Sequence, residues 1–372
     1  MSVESMQTVV IGGGQAGLAA SQALSAHGLP HVVLDAAARI GDSWRARWDS
    51  LRLFTPARFD GLPGRPYPGD PWALPTKDEL ADYLEAYAAD LTLPVRTGVR
   101  VQRLSRSEGR YVVEHDAGVL HAENVVVATG FDRVPRVPGF AAELGPDVVQ
   151  LDASTYRGPH QVGPGDVLVV GAGNSGADIA LELAATHRTY LSGRHPGELP
   201  WRIDNPLVRP LNRLVFWAFR HVLTTSTPVG RRARADVLAH SGPLIRVRSR
   251  DLTQAAVTRV PRTTEVRGGL PVVADGRALD VSTVVWCTGF EPDHSWIDLP
   301  VFDRAGQPEH DRGVTAEPGL YFLGLVFQHA LASSMLQGVG ADAAHIARRV
   351  AERAAAVRAG AAPVKAQGPL PR

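Results

Sequence analysis

Two stretches of the chain, VVIGGGQAG (Val9–Gly17) and LVVGAGNSG (Leu168–Gly176), share one pattern: an apolar run that breaks into a GxGxxG turn. A strand that ends in such a turn and reopens as a helix lets bare backbone approach a pyrophosphate, and it aims the positive end of the helix at that charge. A chain that uses the device twice is constrained to an α/β architecture with two nucleotide-binding modules. The elements around each turn recur in the same order. In the first module Thr8–Ile11 reads as a strand, Leu18–Ala26 as a helix stopped by Gly28 and Pro30, and His31–Asp35 as the next strand. The β-rich pieces Val99–Leu104, Arg110–Asp116 and Asn124–Ala128 follow, closing at Ala128-Thr129-Gly130. In the second module Asp166–Val170 is the strand, Ala177–Ala185 the helix, and the unit closes at TVVWCTGF (Thr283–Phe290). Gly12 stands as far before Gly130 as Gly171 stands before Gly289, which marks the pair as an internal repeat.

The residues after the second strand of each module separate the two ligands. Asp35 follows Gly12 at close to the ~20-residue spacing at which an acid accepts hydrogen bonds from a ribose. The same offset from Gly171 falls on Arg194, a cation suited to a 2′-phosphate, with Ser192 as a second donor. On this reading the first site suits FAD or NAD and the second NADP. Between the strands of the first module lies an aromatic and proline-rich stretch, Trp44–Trp72. After it, Thr76 and Glu79 have capping-box spacing, and Leu80, Tyr83, Leu84 and Tyr87 then recur at helical spacing as far as Asp90.

The chain has 372 residues, enough for two or three domains, and its 39 Lys+Arg balance 38 Asp+Glu to a net charge of +1. No block of one sign points to nucleic acid, so the expected partners are small molecules. The single cysteine, Cys287, excludes an internal disulfide, a CxxC pair and a multi-cysteine metal site; it reads as a buried small side chain. The first glycine turn begins too early to leave room for a signal peptide, and the cytosol is the expected compartment. The most apolar window, Leu207–Leu223, is interrupted by Arg209, Arg213, Arg220 and His221 and reads as an amphipathic or core-packing helix rather than a membrane span. No metal cluster, nucleophile elbow or paired-carboxylate motif is present in the sequence, so no catalytic side chain is singled out. The segment Ala354–Arg372 begins as helix and ends in small residues and proline, the composition of a frayed tail.

Several further segments carry a resemblance. They are GDSWRARWDSLRLFTP (Gly41–Pro56), LPTKDELADYLEAYA (Leu74–Ala88), ATGF (Ala128–Phe131), GAGNSGADIA (Gly171–Ala180), SGR (Ser192–Arg194), WCTGF (Trp286–Phe290) and GLYFLGL (Gly319–Leu325). With GGGQAG they make the chain similar to the FAD- and NADPH-dependent flavin monooxygenase superfamily, particularly its bacterial YUCCA-like branch and the flavoproteins loosely linked to potassium transport. The resemblance implies two Rossmann-like dinucleotide-binding domains, the second inserted in the first: FAD on residues 1–156 plus 300–353, NADPH on 157–299. It places FAD against Gly12, Gly13, Gly14, Gln15, Ala16, Gly17, Asp35, Trp44, Thr55, Thr129 and Gly324. It places NADPH against Gly171, Gly173, Asn174, Ser175, Gly176, Ser192, Arg194 and Thr288. It also implies the chemistry: NADPH reduces the flavin, O₂ adds at C4a, and the resulting hydroperoxide passes one oxygen atom to a small organic substrate. Two positions depart from the pattern: Asp152 stands where a histidine is expected, and Phe54 where heteroatom-oxidising members carry asparagine. Gln328 and His329, after the flavin-proximal strand, are open to a pocket or a loop-packing role. The rival readings are a reductase or oxidase that inserts no oxygen, and a nucleotide-binding redox sensor.

Overall fold

The computed structural model describes residues 4–130, 134–239 and 242–358. Strand β1 (Glu4–Ile11) leads into helix α1 (Gln15–Ala26), and β2 (His31–Leu34) pairs with β1 in parallel. The short helix α2 (Asp42–Arg45) opens the aromatic stretch, and α3 (Lys77–Asp90) closes it. β3 (Val95–Arg96), β4 (Val101–Ser107), β5 (Arg110–His115) and β6 (Gly118–Val127) complete the first run. Their sheet has the order β3-β2-β1-β6-β5-β4, in which β4, β5 and β6 form an antiparallel meander. Thr8, Val9, Val10 and Ile11 are buried, as a central parallel strand covered on both faces requires.

After β7 (Val134–Pro135), the strands β8 (Val149–Asp152), β9 (Val167–Val170), β10 (Thr189–Ser192), β11 (Thr258–Val260) and β14 (Thr283–Trp286) build a second, all-parallel sheet in the order β11-β10-β9-β14-β8. Helix α4 (Asn174–Leu183) joins β9 to β10. The hairpin β12 (Thr263–Arg267) and β13 (Leu270–Val273) lies beside this sheet, and β15 (Phe290–Glu291) pairs with β7. Three helices, α5 (Arg209–His221), α6 (Pro228–Ala239) and α7 (Ser249–Gln254), fill the connection from β10 to β11. The chain then returns: β16 (Leu320–Phe322) pairs with β6 of the first sheet, and α8 (Leu336–Arg358) packs along α1. That packing is close because both helices bury alanines, Ala19, Ala20 and Ala23 on one and Ala343, Ala347 and Ala354 on the other.

Three details differ from the sequence expectations. α1 and α4 begin three residues earlier than periodicity places them, because the middle glycines of the GxGxxG motifs, Gly14 and Gly173, already stand in extended N-cap conformations of nearly equal angles. β8, counted with the first unit from its position in the chain, hydrogen-bonds to β14 and so belongs to the second sheet. The strand at TVVWCTGF ends at Trp286, where the backbone turns away behind the second glycine turn. Helix α5 is the amphipathic helix expected there, packing through Asn212 and Phe216 and leaving Leu211, Leu214 and Trp217 exposed. Asn212 satisfies itself inside by accepting from Trp201 Nε1 (3.0 Å) and donating to the Ile203 carbonyl (2.8 Å). Phe131 of the ATGF segment and residues 359–372 of the expected tail lie outside the described residues; Ala354–Arg358 are helical. Among the described residues no helix is long and apolar enough to cross a membrane.

The capping box is formed: the Thr76 N–H donates to Glu79 Oε2 (2.7 Å), and the Glu79 N–H donates to Thr76 Oγ1 (3.1 Å). Thr76→Ala is expected to lower stability by about 1 kcal/mol, read as a lower urea midpoint at an unchanged denaturant slope.

Candidate functional site: a cleft at two glycine turns

Each glycine turn is shaped by backbone approaching backbone. A Cβ on Gly17 would lie 1.8 Å from the Gly12 carbonyl oxygen, and one on Gly176 would lie 1.8 Å from that of Gly171. Gly12 (φ +108°) and Gly171 (φ +111°) are backed by the next parallel strand, whose Ala128 and Cys287 carbonyl oxygens stand 2.5 and 2.2 Å from where a Cβ would be. The ATG and CTG segments are therefore the rear walls of the turns. Cys287 fits this place because it is small, and burial pushes its thiol up to about 12, with Asp152 adding to the shift. Gly14 is the contrary case, since a Cβ there meets nothing within 4 Å.

That open side of Gly14 faces a cleft of 1040 Å³, at the upper end of the range for small-molecule sites. Gly12, Gly14, Gln15, Ala16, Asp35, Trp44, Thr55, Thr129 and Gly324 line it, and so do Asn174 and Ser175 at the start of α4. The N-terminal ends of α1, α4 and α8 thus border one space. Gln15 ties two of them together, its Nε2 donating to the Ser334 carbonyl at 2.8 Å. Asn174 holds the third, donating to the Pro243 carbonyl and accepting from the Ile245 N–H, both at 3.0 Å. Asp35 accepts from the Gly13 N–H (2.5 Å) and the Ala37 N–H (2.7 Å), so its carboxylate props the glycine turn. Asp178 also borders the cleft. Burial pushes it up to about 6, although Arg246 sits 2.9 Å away and pulls the other way.

Other expected site residues lie elsewhere. Gly13 and Gly17 are packed behind the first turn, and Gly171, Gly173, Gly176, Arg194 and Thr288 are outside the cleft wall. Ser192 does not offer a free donor: its buried hydroxyl bonds the Pro261 carbonyl (2.9 Å) and Thr263 Oγ1 (2.8 Å) and accepts the Thr263 N–H (2.9 Å). Thr288 donates to the Arg136 carbonyl. Arg194 is exposed and unpaired among the described residues. Phe54 is in the cleft wall and brings no polar group. Asp152 caps its own turn, accepting from the Ser154 N–H (2.7 Å) and the Thr155 N–H (3.2 Å). His329 binds the Thr225 hydroxyl (3.2 Å), linking its loop to the start of α6, and Gln328 is buried beside it; neither lines the cleft.

Four residues missed by the sequence reading stand out. Trp48 Nε1, Asp60 Oδ2 and Gln337 Oε1 are buried without partners among the described residues, and all three residues line the cleft. Arg259, on β11 beside β10, donates to the Gly193 carbonyl (3.2 Å) while its Nη1 is buried and unpaired. The signals in the sequence were chemical type, an acid, an amide and an arginine beside apolar residues, and for Trp48 its place in the segment Gly41–Pro56. Orphaned donors and acceptors around a dinucleotide-sized cleft, with one glycine open to it, are what a bound dinucleotide with a polar ring system would satisfy.

The comparisons agree with this geometry. Residues 9–197 match the family model described as pyridine nucleotide-disulphide oxidoreductase. A CzcO-like uncharacterized oxidoreductase of Geobacillus kaustophilus is 40% identical over 92% of this chain and 97% of its own length. A flavin-containing monooxygenase from Stenotrophomonas maltophilia is 30% identical, covers 94% of this chain and 99% of its own, and superposes with a TM-score of 0.76. The chain belongs to the pyridine nucleotide-disulphide oxidoreductase family, in its flavin monooxygenase branch. An indole-3-pyruvate monooxygenase of rice, YUCCA1, is also similar, at 38% identity over 47% of this chain and 44% of its own. As a member of that branch the chain is an oxidoreductase, and the shared fold is the pair of Rossmann-like sheets described above.

The glycines separate fold from binding. Gly17→Ala is expected to cost about 3 kcal/mol or more through the clash with Gly12, visible as a lower melting temperature. Gly14→Ala should melt like the wild type yet lose its yellow colour on purification, because its methyl group enters the open cleft.

Proposed function

We propose that the chain is an NADPH-dependent flavoprotein monooxygenase of small organic substrates, with FAD in the cleft at the first glycine turn and NADPH at the second. The observation that carries this reading is that α1 and α4, each opened by one glycine turn, border the same cleft, so groups bound on the two turns share one space. Gly12, Gly14, Gln15 and Ala16 would hold the FAD pyrophosphate, Asp35 the ribose, and Trp44, Thr55 and Gly324 would wall the ring. Asn174 and Ser175 would bring the nicotinamide end of NADPH towards it, with Gly171, Gly173 and Gly176 beneath its pyrophosphate. Arg194 and the unpaired Nη1 of Arg259 would meet the 2′-phosphate, the role that the enclosed Ser192 is not free to take. The bound flavin would accept hydride from NADPH and activate O₂ for transfer of one oxygen atom. The chain's own part is to bind, orient and keep water out. Leu53 and Phe54 supply an apolar wall, and the unpaired indole N–H of Trp48 is a hydrogen-bond donor where Phe54 supplies none. In this reading the first unit comprises the residues before β8 together with those from about β16 onward, and the NADPH unit lies between.

The test is to supply the purified yellow protein with NADPH and ¹⁸O₂ across a panel of amines, thioethers, ketones and 2-oxo acids. Product carrying one ¹⁸O per NADPH consumed supports the monooxygenase. Return of every NADPH as hydrogen peroxide supports an oxidase, the outcome that the apolar Phe54 would favour. No NADPH consumption would leave a nucleotide sensor.

Cofactor choice has its own test. Arg194→Ala is expected to weaken NADPH by about 1.5–3 kcal/mol, the value of a charge-assisted contact, and to leave NADH unchanged in binding titrations; equal losses for both would remove Arg194 from the 2′-phosphate.

A further inference from the structure

Thr55 and Asp60 bracket a single turn of 3₁₀ helix, Ala57–Phe59, and both line the cleft. Thr55 Oγ1 donates to Asp60 Oδ1 at 2.5 Å, whereas Asp60 Oδ2 is buried with no partner. Asp60 is 1% exposed, and no basic group among the described residues offsets it. The nearest arginine in sequence, Arg58, turns its guanidinium onto the Trp72 ring 4.9 Å away, where Arg209 and Arg213 of α5 also gather. The titratable groups that face Asp60 are two tyrosines, Tyr67 and Tyr83. Tyr83 is occupied, donating to the Arg65 carbonyl and accepting from the Leu62 N–H, both at 2.7 Å; the Tyr67 hydroxyl is buried and unpaired.

We propose that Asp60 is a positioning residue of the cleft: its carboxyl orients the Thr55 hydroxyl, and the proton it holds decides whether an uncompensated negative charge stands beside the bound flavin. This rests on the reading that FAD occupies the cleft. With the Thr55 hydroxyl donating to Oδ1, the unpartnered Oδ2 is the oxygen left open to a proton. Burial pushes the carboxyl up to about 8, with Thr55 pulling the other way, so near neutral pH the acid is uncharged and above pH 8 it is an anion without a counter-ion. An anionic Asp60 opposes the arrival of electrons in the cleft. By linkage, electrons in the cleft raise the proton affinity of Asp60, and reduction above pH 8 draws one proton from solvent onto Oδ2. The hydride itself comes from NADPH, leaving NADP⁺, and Asp60 exchanges only a proton.

The experiment measures the reduction potential of the flavin in FAD-loaded protein by dye equilibration across pH, for wild type, Asp60→Asn and Thr55→Val. In wild type the plot of potential against pH should steepen from near pH 8. Asp60→Asn should lack that break, agreeing with wild type at about pH 6.5 and lying at higher potential at about pH 9.5. Thr55→Val removes the bond that favours the ionised acid, so its break should move to higher pH. A structural role alone would move none of these breaks. Asp60→Asn replaces a buried charge by a neutral amide of equal size, and above pH 8 it should melt no lower than wild type, which reports on folding independently. Coincident wild-type and Asp60→Asn lines in FAD-loaded protein overturn the inference alone; protein that binds no FAD overturns the flavin reading and the inference with it.

Discussion

The contact on which the rest depends is the approach of a helix to the strand that precedes it, where Gly17 meets Gly12 and Gly176 meets Gly171 with no room for a methyl group. This closeness lets α1 and α4 start directly from the turn, so that each turn stands at the positive end of its helix, where the first N–H groups have no intrahelical partner. It also calls for a strand behind each turn whose residue lies flat against it, which Ala128 and Cys287 provide. The backbone carbonyls at the ends of two remote strands thereby meet one steric demand. Cys287 needs no redox role to account for its place.

The cleft has an uneven polarity. Around the first turn its polar groups are already engaged with one another, as Asp35 is with Gly13 and Ala37, and such a surface is rigid before anything binds. Towards Trp48, Asp60 and Gln337 the reverse holds, and buried donors and acceptors wait unpaired. A buried polar group without a partner costs on the order of 1–3 kcal/mol. Three of them on one cavity wall make that wall unfavourable when empty and correspondingly receptive to a ligand with matching hydrogen-bonding edges.

Much of this was legible in the sequence where local chemistry decides the outcome. The two glycine turns, the strands before them, the Thr76 cap and the helix to Asp90 depend on residues within a few positions of one another, and each formed. What escaped depends on pairing across the chain. Nothing near Val149–Asp152 says that it will lie beside Thr283–Trp286, because a strand of four residues, two of them polar, fits the edge of either sheet. Ser192 looked like a phosphate donor until Thr263 and Pro261, brought in by β11 and β12, enclosed it. Helix α5 has helical periodicity, but periodicity does not say which face turns inward, and a buried Asn212 is stable there only because Trp201 and Ile203 arrive to bond it. Asp60 was hidden for the same reason: nothing in the run Ala57–Gly61 says that its carboxyl will be buried and face Tyr83 from the helix α3.

The long strand β6 serves two neighbours along one edge. Its first half, Gly118–Ala122, pairs with β5, and its last residues, Val125–Val127, pair with β16, which arrives only after the whole second sheet has passed. During synthesis the first sheet must therefore wait with an apolar edge bare, from the time Val127 leaves the ribosome until Phe322 does. Unpaired strand edges invite pairing with other chains. The nascent protein is thus most exposed to misassembly while its second sheet is being made, and a chaperone or slow translation through that interval would matter more for this chain than for one whose sheets close in sequence.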